Sequence, residues 1–178
     1  MASFLDKERT IAQPGFNRWL VPPAALGIHL CIGMAYGFSV FWLPLSRAIG
    51  VSAPAPDDWK ISTLGWMYTL FFVFLGSSAA VFGRWVEREG PRKAGVVAAV
   101  CWGGGFFLSA LGVRLHQIWL LWIGAGVIGG CGLGLGYISP VSTLIKWFPD
   151  RRGLATGLAI MGFGGGAMIG APLADALM

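Results

Sequence analysis

The chain has 178 residues, of which 56% are hydrophobic and only 12% charged, with a formal net charge of +5. A soluble domain of this length would be about a quarter charged, so the composition excludes an ordinary water-soluble fold. The apolar residues run in long blocks, and blocks of about 20 residues match the hydrocarbon thickness of a bilayer.

Residues 1–19, "MASFLDKERTIAQPGFNRW", are mixed in charge and have no early apolar core. They read as a short cytoplasmic tail and not as a cleaved signal. A transmembrane domain over 20–178 follows, with apolar blocks at 20–49, 63–82, 94–113, 118–145 and 153–177. In lipid every backbone N–H and C=O must be satisfied internally, which leaves helices or a closed barrel. Period-2 alternation is absent, so the expectation is an all-α polytopic membrane protein with five transmembrane helices. Cys31, Cys101 and Cys131 all fall inside these blocks without CxxC spacing, which argues against a disulfide framework or a zinc site.

Charge sets the expected orientation. A cytoplasmic N-terminus puts Lys7, Arg9, Arg18, Arg84, Arg88, Arg92, Lys93, Lys146, Arg151 and Arg152 inside, and leaves Arg47, Lys60 and Arg114 outside. The positive-inside rule favours this arrangement, in a cell (inner or plasma) membrane. Trp19, Trp85 and Trp147 mark inner helix ends, and Trp59, Trp119 and Trp122 outer ones, as an aromatic belt does. Basic residues confined to short inter-helix turns speak for anionic lipid contact and against nucleic acid.

Between the second and third blocks lies "GRWVEREGPRKAG", residues 83–95. It resembles the signature loop of the major facilitator superfamily. Gly83 and Gly90 match its glycines, Glu87 stands for the usual aspartate, Arg88 follows it, and Arg92 and Lys93 close it. Further on, "GLGLGYISPVSTLIKWFPDRRGLATGLAIMGFGGGAMIGAP", with "GMAYGFSVFWLPL" in the first span, is similar to the oxalate/formate antiporter group. The resemblance implies five helices of an N-terminal six-helix bundle, and so a fragment covering about five of twelve helices. It also implies transport of small carboxylate anions by alternating access and a C-terminal half as partner. The alternative is a truncated or split half that assembles with or regulates another membrane subunit. The absence of a Ser-His-Asp set, paired carboxylates or a metal cluster in the sequence argues against an enzyme, and no cofactor is expected.

In that bundle the first and fourth helices line the substrate path, and each carries a tyrosine near mid-span, Tyr36 after "GMA" and Tyr137 after "GLG". A phenol there has a ring to pack and a hydroxyl to donate to a carboxylate; it could equally bond a backbone carbonyl in the bundle. The resemblance implies substrate contact for both, and for Phe163, which replaces a tyrosine of some members. His29, the one ionisable side chain well inside the first span, is either a proton-coupling group or a neutral histidine bonded to a neighbouring helix.

"KWFPDRRGLATG", residues 146–157, separates the fourth and fifth spans. Pro149 stops one helix, and Asp150 is the expected N-cap of the next. The charged turns read as a gate: Asp150, flanked by Arg151, pairs with Arg88 or Arg92, while Glu87 faces the second half. "GAGVIG", residues 124–129, fits a dinucleotide motif but sits inside an apolar span, where glycines at this density act as packing surfaces. Glycines spaced by four at 126/130/134, 162/166/170 and 153/157 are the expected close-approach faces.

Overall fold

A computed structural model describes residues 4–50, 52 and 55–178; residues 1–3 of the expected tail lie outside the described residues. Five helices long and apolar enough to span a bilayer run Arg18–Leu45 (α1), Ile61–Glu89 (α2), Pro91–Arg114 (α3), Ile118–Trp147 (α4) and Arg152–Leu177 (α5). Before α1 a 3-10 turn covers Lys7–Thr10. No strand occurs among the described residues, so the all-α polytopic architecture stands.

Two of the five helices are irregular. α1 is α-helical over Val21–Gly33, tightens to 3-10 over Met34–Phe41 and returns to α over Trp42–Leu45. α4 widens to a π-helix over Trp122–Gly129, in the glycine-rich stretch that imitates a nucleotide motif, and carries Pro140 within its last turns. α2 is longer than its apolar block. With no breaker before Gly90 it continues through Arg84, Glu87 and Arg88, so most of the signature motif is helix and only Gly90 separates α2 from α3.

Gly90 has φ +93°, a conformation that disfavours any side chain, and Pro91 then occupies the first turn of α3. Gly90→Ala is expected to cost about 1–2 kcal/mol in this left-handed conformation. Unfolding midpoints in mild detergent would check this, with Gly95→Ala, which meets open space, as the reference.

α4 is the centre of the bundle, with over half of its most apolar stretch buried. α1 packs along α5 and α2 along α4, while α3 covers the other side of α4. The partnership of first with fifth and fourth with second is the exchange a repeat of three helices produces.

Glycine lets these helices close. At Gly130 an added Cβ would lie 2.7 Å from the Phe71 carbonyl oxygen, and at Gly134 it would meet Ser78 Oγ and the Leu75 carbonyl, so this face of α4 rests directly on α2. Gly162, Gly166 and Gly170 rest in the same way on Leu26, His29, Leu30, Gly33 and Met34 of α1. Two of the three expected glycine faces therefore seat a helix. The third does not, because a Cβ at Gly153 or Gly157 meets nothing within 4 Å.

Trp122 Nε1 donates to the Thr63 carbonyl (3.2 Å), and Ser139 Oγ to the Pro91 carbonyl (3.4 Å). These bonds tie α4 to α2 near one end and to α3 near the other. Outward-facing Phe107, Met168, Val100 and Ile160 are all exposed. That is a liability in water but an ordinary surface against acyl chains.

Candidate functional site

Tyr36, Tyr137, Phe163 and His29 come from three helices and meet around the Phe163 ring. The Phe163 centroid lies 4.9 Å from Tyr36, 5.5 Å from Tyr137 and 6.4 Å from His29, all three edge-on. Side chains on a helix lean toward its N-terminus, which lets Tyr36 reach back to a ring packed one turn before Gly166.

The four are not equivalent. Tyr36 is 55% exposed on the surface of the bundle, Tyr137 is half-buried, and Phe163 is buried. His29 is 0% exposed. Its Nε2 lies 3.3 Å from the Tyr137 carbonyl oxygen, its ring stands 5.6 Å from that of Tyr137, and Nδ1 has no partner among the described residues. His29 thus stands behind the aromatic wall, between α1, α4 and α5, and Tyr36 forms the wall's open surface.

The third tyrosine joins the same region. Tyr68 of α2 donates its hydroxyl to the Ala35 carbonyl (3.4 Å), beside Tyr36, and stacks on Phe71. Sequence reading passed it over because "WMYTLFF" lacks the glycine approach shared by the other two. Its position among aromatics in an apolar span was the available signal. Phe71, Trp102 and Leu133 then join this wall to the buried core.

The charged turns lie at the end of the bundle that bears the N-terminus, here the charged face. Asp150 pairs with neither Arg88 nor Arg92. Arg18 donates to it through a two-pronged contact, Nη1 to Oδ1 and Nη2 to Oδ2, both 3.0 Å. Arg151 Nε stands 3.8 Å away. Asp150 does not cap α5 either, since the N-cap residue is Arg151 and makes no side-chain cap bond. A fork-to-fork pair outcompetes a single cap bond for the same two oxygens.

Glu87 is not left free for a second half. Its carboxylate accepts from Lys146 (2.7 Å) and Ser142 (2.9 Å) of α4, because the glycine face brings α2 against α4 along their length. Arg92 donates to the Phe4 carbonyl (2.9 Å). The Arg88 side chain makes no hydrogen bond or ion pair among the described residues.

Arg18, by hydrogen bonding to Asp150, holds that carboxyl below its ordinary value. A depressed pKa means that the contribution of the contact is complete above about pH 4 and is lost as pH falls through the lower folded value. The protection of the Trp19–Val21 amides, relative to their intrinsic exchange rates, is therefore expected to fall below about pH 4. Asp150→Asn should show the same loss of protection already at pH 7, and no difference between the two at neutral pH would refute the contact.

Five helices long and apolar enough to cross a membrane, packed as one bundle, define the class of polytopic helical membrane proteins. The chain belongs to the major facilitator superfamily, whose family model matches residues 24–178. It is 30% identical over 152 residues to the uncharacterized MFS-type transporter YhjX of Escherichia coli, covering 85% of this chain and 35% of that protein. It is 30% identical over 136 residues to apicoplast pyruvate carrier 1 of Toxoplasma gondii, covering 75% and 24%. With the oxalate:formate antiporter of Oxalobacter formigenes it shares 26% identity over 163 residues, 91% of this chain and 36% of that one. The chain spans about a quarter to a third of the length of the curated relatives it matches. Members of this family are transporters.

Proposed function

We propose that this chain forms the N-terminal part of a secondary carrier for small carboxylates, oxalate, formate or related monocarboxylates, working by alternating access. The observation that carries the reading is the packing of Tyr36 and Tyr137 around Phe163, with Tyr36 exposed. Phenol hydroxyls over an apolar wall hold a small carboxylate by hydrogen bonds while its non-polar part rests on rings. Relatives named for pyruvate, oxalate and formate support the same substrate class.

The charged face is cytoplasmic in this reading, because it carries ten of the thirteen Lys and Arg residues. Glu87–Lys146 and Asp150–Arg18 then brace the inner ends of the helices, with Arg88 and Arg151 turned toward a C-terminal half.

The test fuses residues 1–178 ahead of the remaining helices of the oxalate:formate antiporter and measures uptake into proteoliposomes. Saturable uptake of labelled oxalate, formate, pyruvate or lactate is expected. Tyr137→Phe should weaken it roughly tenfold, the value of one hydrogen bond to a charged group. Uptake indifferent to all four anions would refute the assignment.

A further inference from the structure

The segment ahead of α1 is fastened at both ends. At its tip the Arg92 guanidinium lies 4.4 Å over the Phe4 ring while donating to the Phe4 carbonyl. Lys7 Nζ donates to the Glu87 carbonyl (2.7 Å), and Lys93 Nζ stands 3.4 Å from Asp6 Oδ1. Gly90 is what admits Lys7 so closely, since a Cβ there would lie 3.1 Å from Lys7 Cβ. At its base Arg18 grips Asp150 and lies over Phe148, Trp19 packs on Phe148 (5.1 Å), and Phe16 on Trp147 (5.4 Å). The segment therefore runs from the α2–α3 junction to the α4–α5 turn.

Phe4 and Leu5 also line one end of an apolar groove of about 820 Å³ between α1 and α3, floored by α4. Ala24 and Gly27 of α1 and Gly95 of α3 lie along it. We propose that residues 4–17, seated at their base on Arg18 and Trp19 at the start of α1, are a releasable strap. Its tip holds Phe4 and Leu5 across the charged-face end of this groove, and its length locks the α2–α3 junction to the α4–α5 turn.

Release starts at the tip because of how the two ends are held. The tip is retained by an ion pair, in which Lys93 is shared between Asp6 and Glu89, and by cations on neutral carbonyls and a ring; salt screens the ion pair. The base adds aromatic packing and is continuous with α1. Freeing the tip opens the end of the groove and removes the tie that the segment adds, between the two charged turns, to the Glu87–Lys146 pair. None of this depends on a carboxylate substrate.

The test uses residues 1–178 in nanodiscs, with Ser139→Cys, which lines the groove and is 3% exposed, as the sole thiol after replacing Cys31, Cys101 and Cys131 by Ser, and N-ethylmaleimide as the probe. Labelling is expected to be slow in this parent. Phe4→Ala or Asp6→Lys should raise the rate roughly threefold to fivefold, the effect of losing one exposed contact. Raising the salt concentration should speed the parent but not the Asp6→Lys variant. Combining Asp6→Lys with Lys93→Glu should restore slow labelling, which a merely disturbed fold would not do. Equal rates in parent and tail variants, or a charge swap that labels as fast as Asp6→Lys alone, would overturn the strap.

Discussion

Replacing Gly166 by Leu is expected to separate α1 from α5, at a cost of about 3 kcal/mol or more. A Cβ on Gly166 would meet the Leu30 carbonyl oxygen and stand 2.7 Å from Gly33 Cα and 2.9 Å from Gly33 C. These are backbone atoms in the middle of a helix, so no rotamer change relieves them and the helices must part. In a bilayer, lipid is as apolar as leucine, so close packing itself carries the association. Gly157→Leu is the matched control: same helix, same chemistry, and nothing within 4 Å of its Cβ. Reversible unfolding in bicelles should show Gly166→Leu strongly destabilised and Gly157→Leu nearly unchanged. Because Phe163 precedes Gly166 by one turn, the same variant should also break the contact between Phe163 and Tyr36. Equal stability of the two variants would mean that glycine contact does not hold α5 in place.

The second large effect concerns charge. Proteoliposomes containing only residues 1–178 are expected to show no saturable uptake of oxalate or formate. An anion brought to mid-bilayer needs a cation, since an unpaired buried charge costs several kcal/mol even after relaxation. Every Lys and Arg of the chain lies in a turn or within about two turns of a helix end. His29 offers no substitute, as its ring is wholly buried behind Tyr137 and Phe163. On the reading proposed above, the missing cation is supplied by the C-terminal half, and the fused protein transports where the short one does not. Saturable uptake by the 178-residue chain, abolished by Tyr137→Phe, would show that these five helices hold a complete site.

Much of the architecture was legible because the bilayer makes simple demands. Length and hydropathy set where helices run, and the motif at residues 83–95 identified the superfamily before any contact was known. The aromatic set was partly legible. Tyr36 and Tyr137 stood out by their glycine approaches, whereas Tyr68 had no such mark, and its link to Ala35 depends on α2 leaning on α1. The charge pairs were misread. Arg18 and Asp150 are 132 residues apart, and Glu87 and Lys146 are 59 apart. Their meeting follows from where the tail crosses the charged face and how tightly α2 and α4 close.

By itself, then, the sequence determined the all-α membrane class, the five spans, the family and the small-residue spacing, each of which follows from local composition and the rise of a helix. Only the tertiary structure decided which glycines touch a helix, that His29 is enclosed while Tyr36 is open, and that the tail takes Asp150, Arg92 and Lys93 as partners. Those outcomes turn on helix rotation and on differences of an ångström between backbones. A spacing of four places glycines on one face but does not say what that face meets, and an exposed carboxylate accepts whichever cation the fold brings within 3 Å.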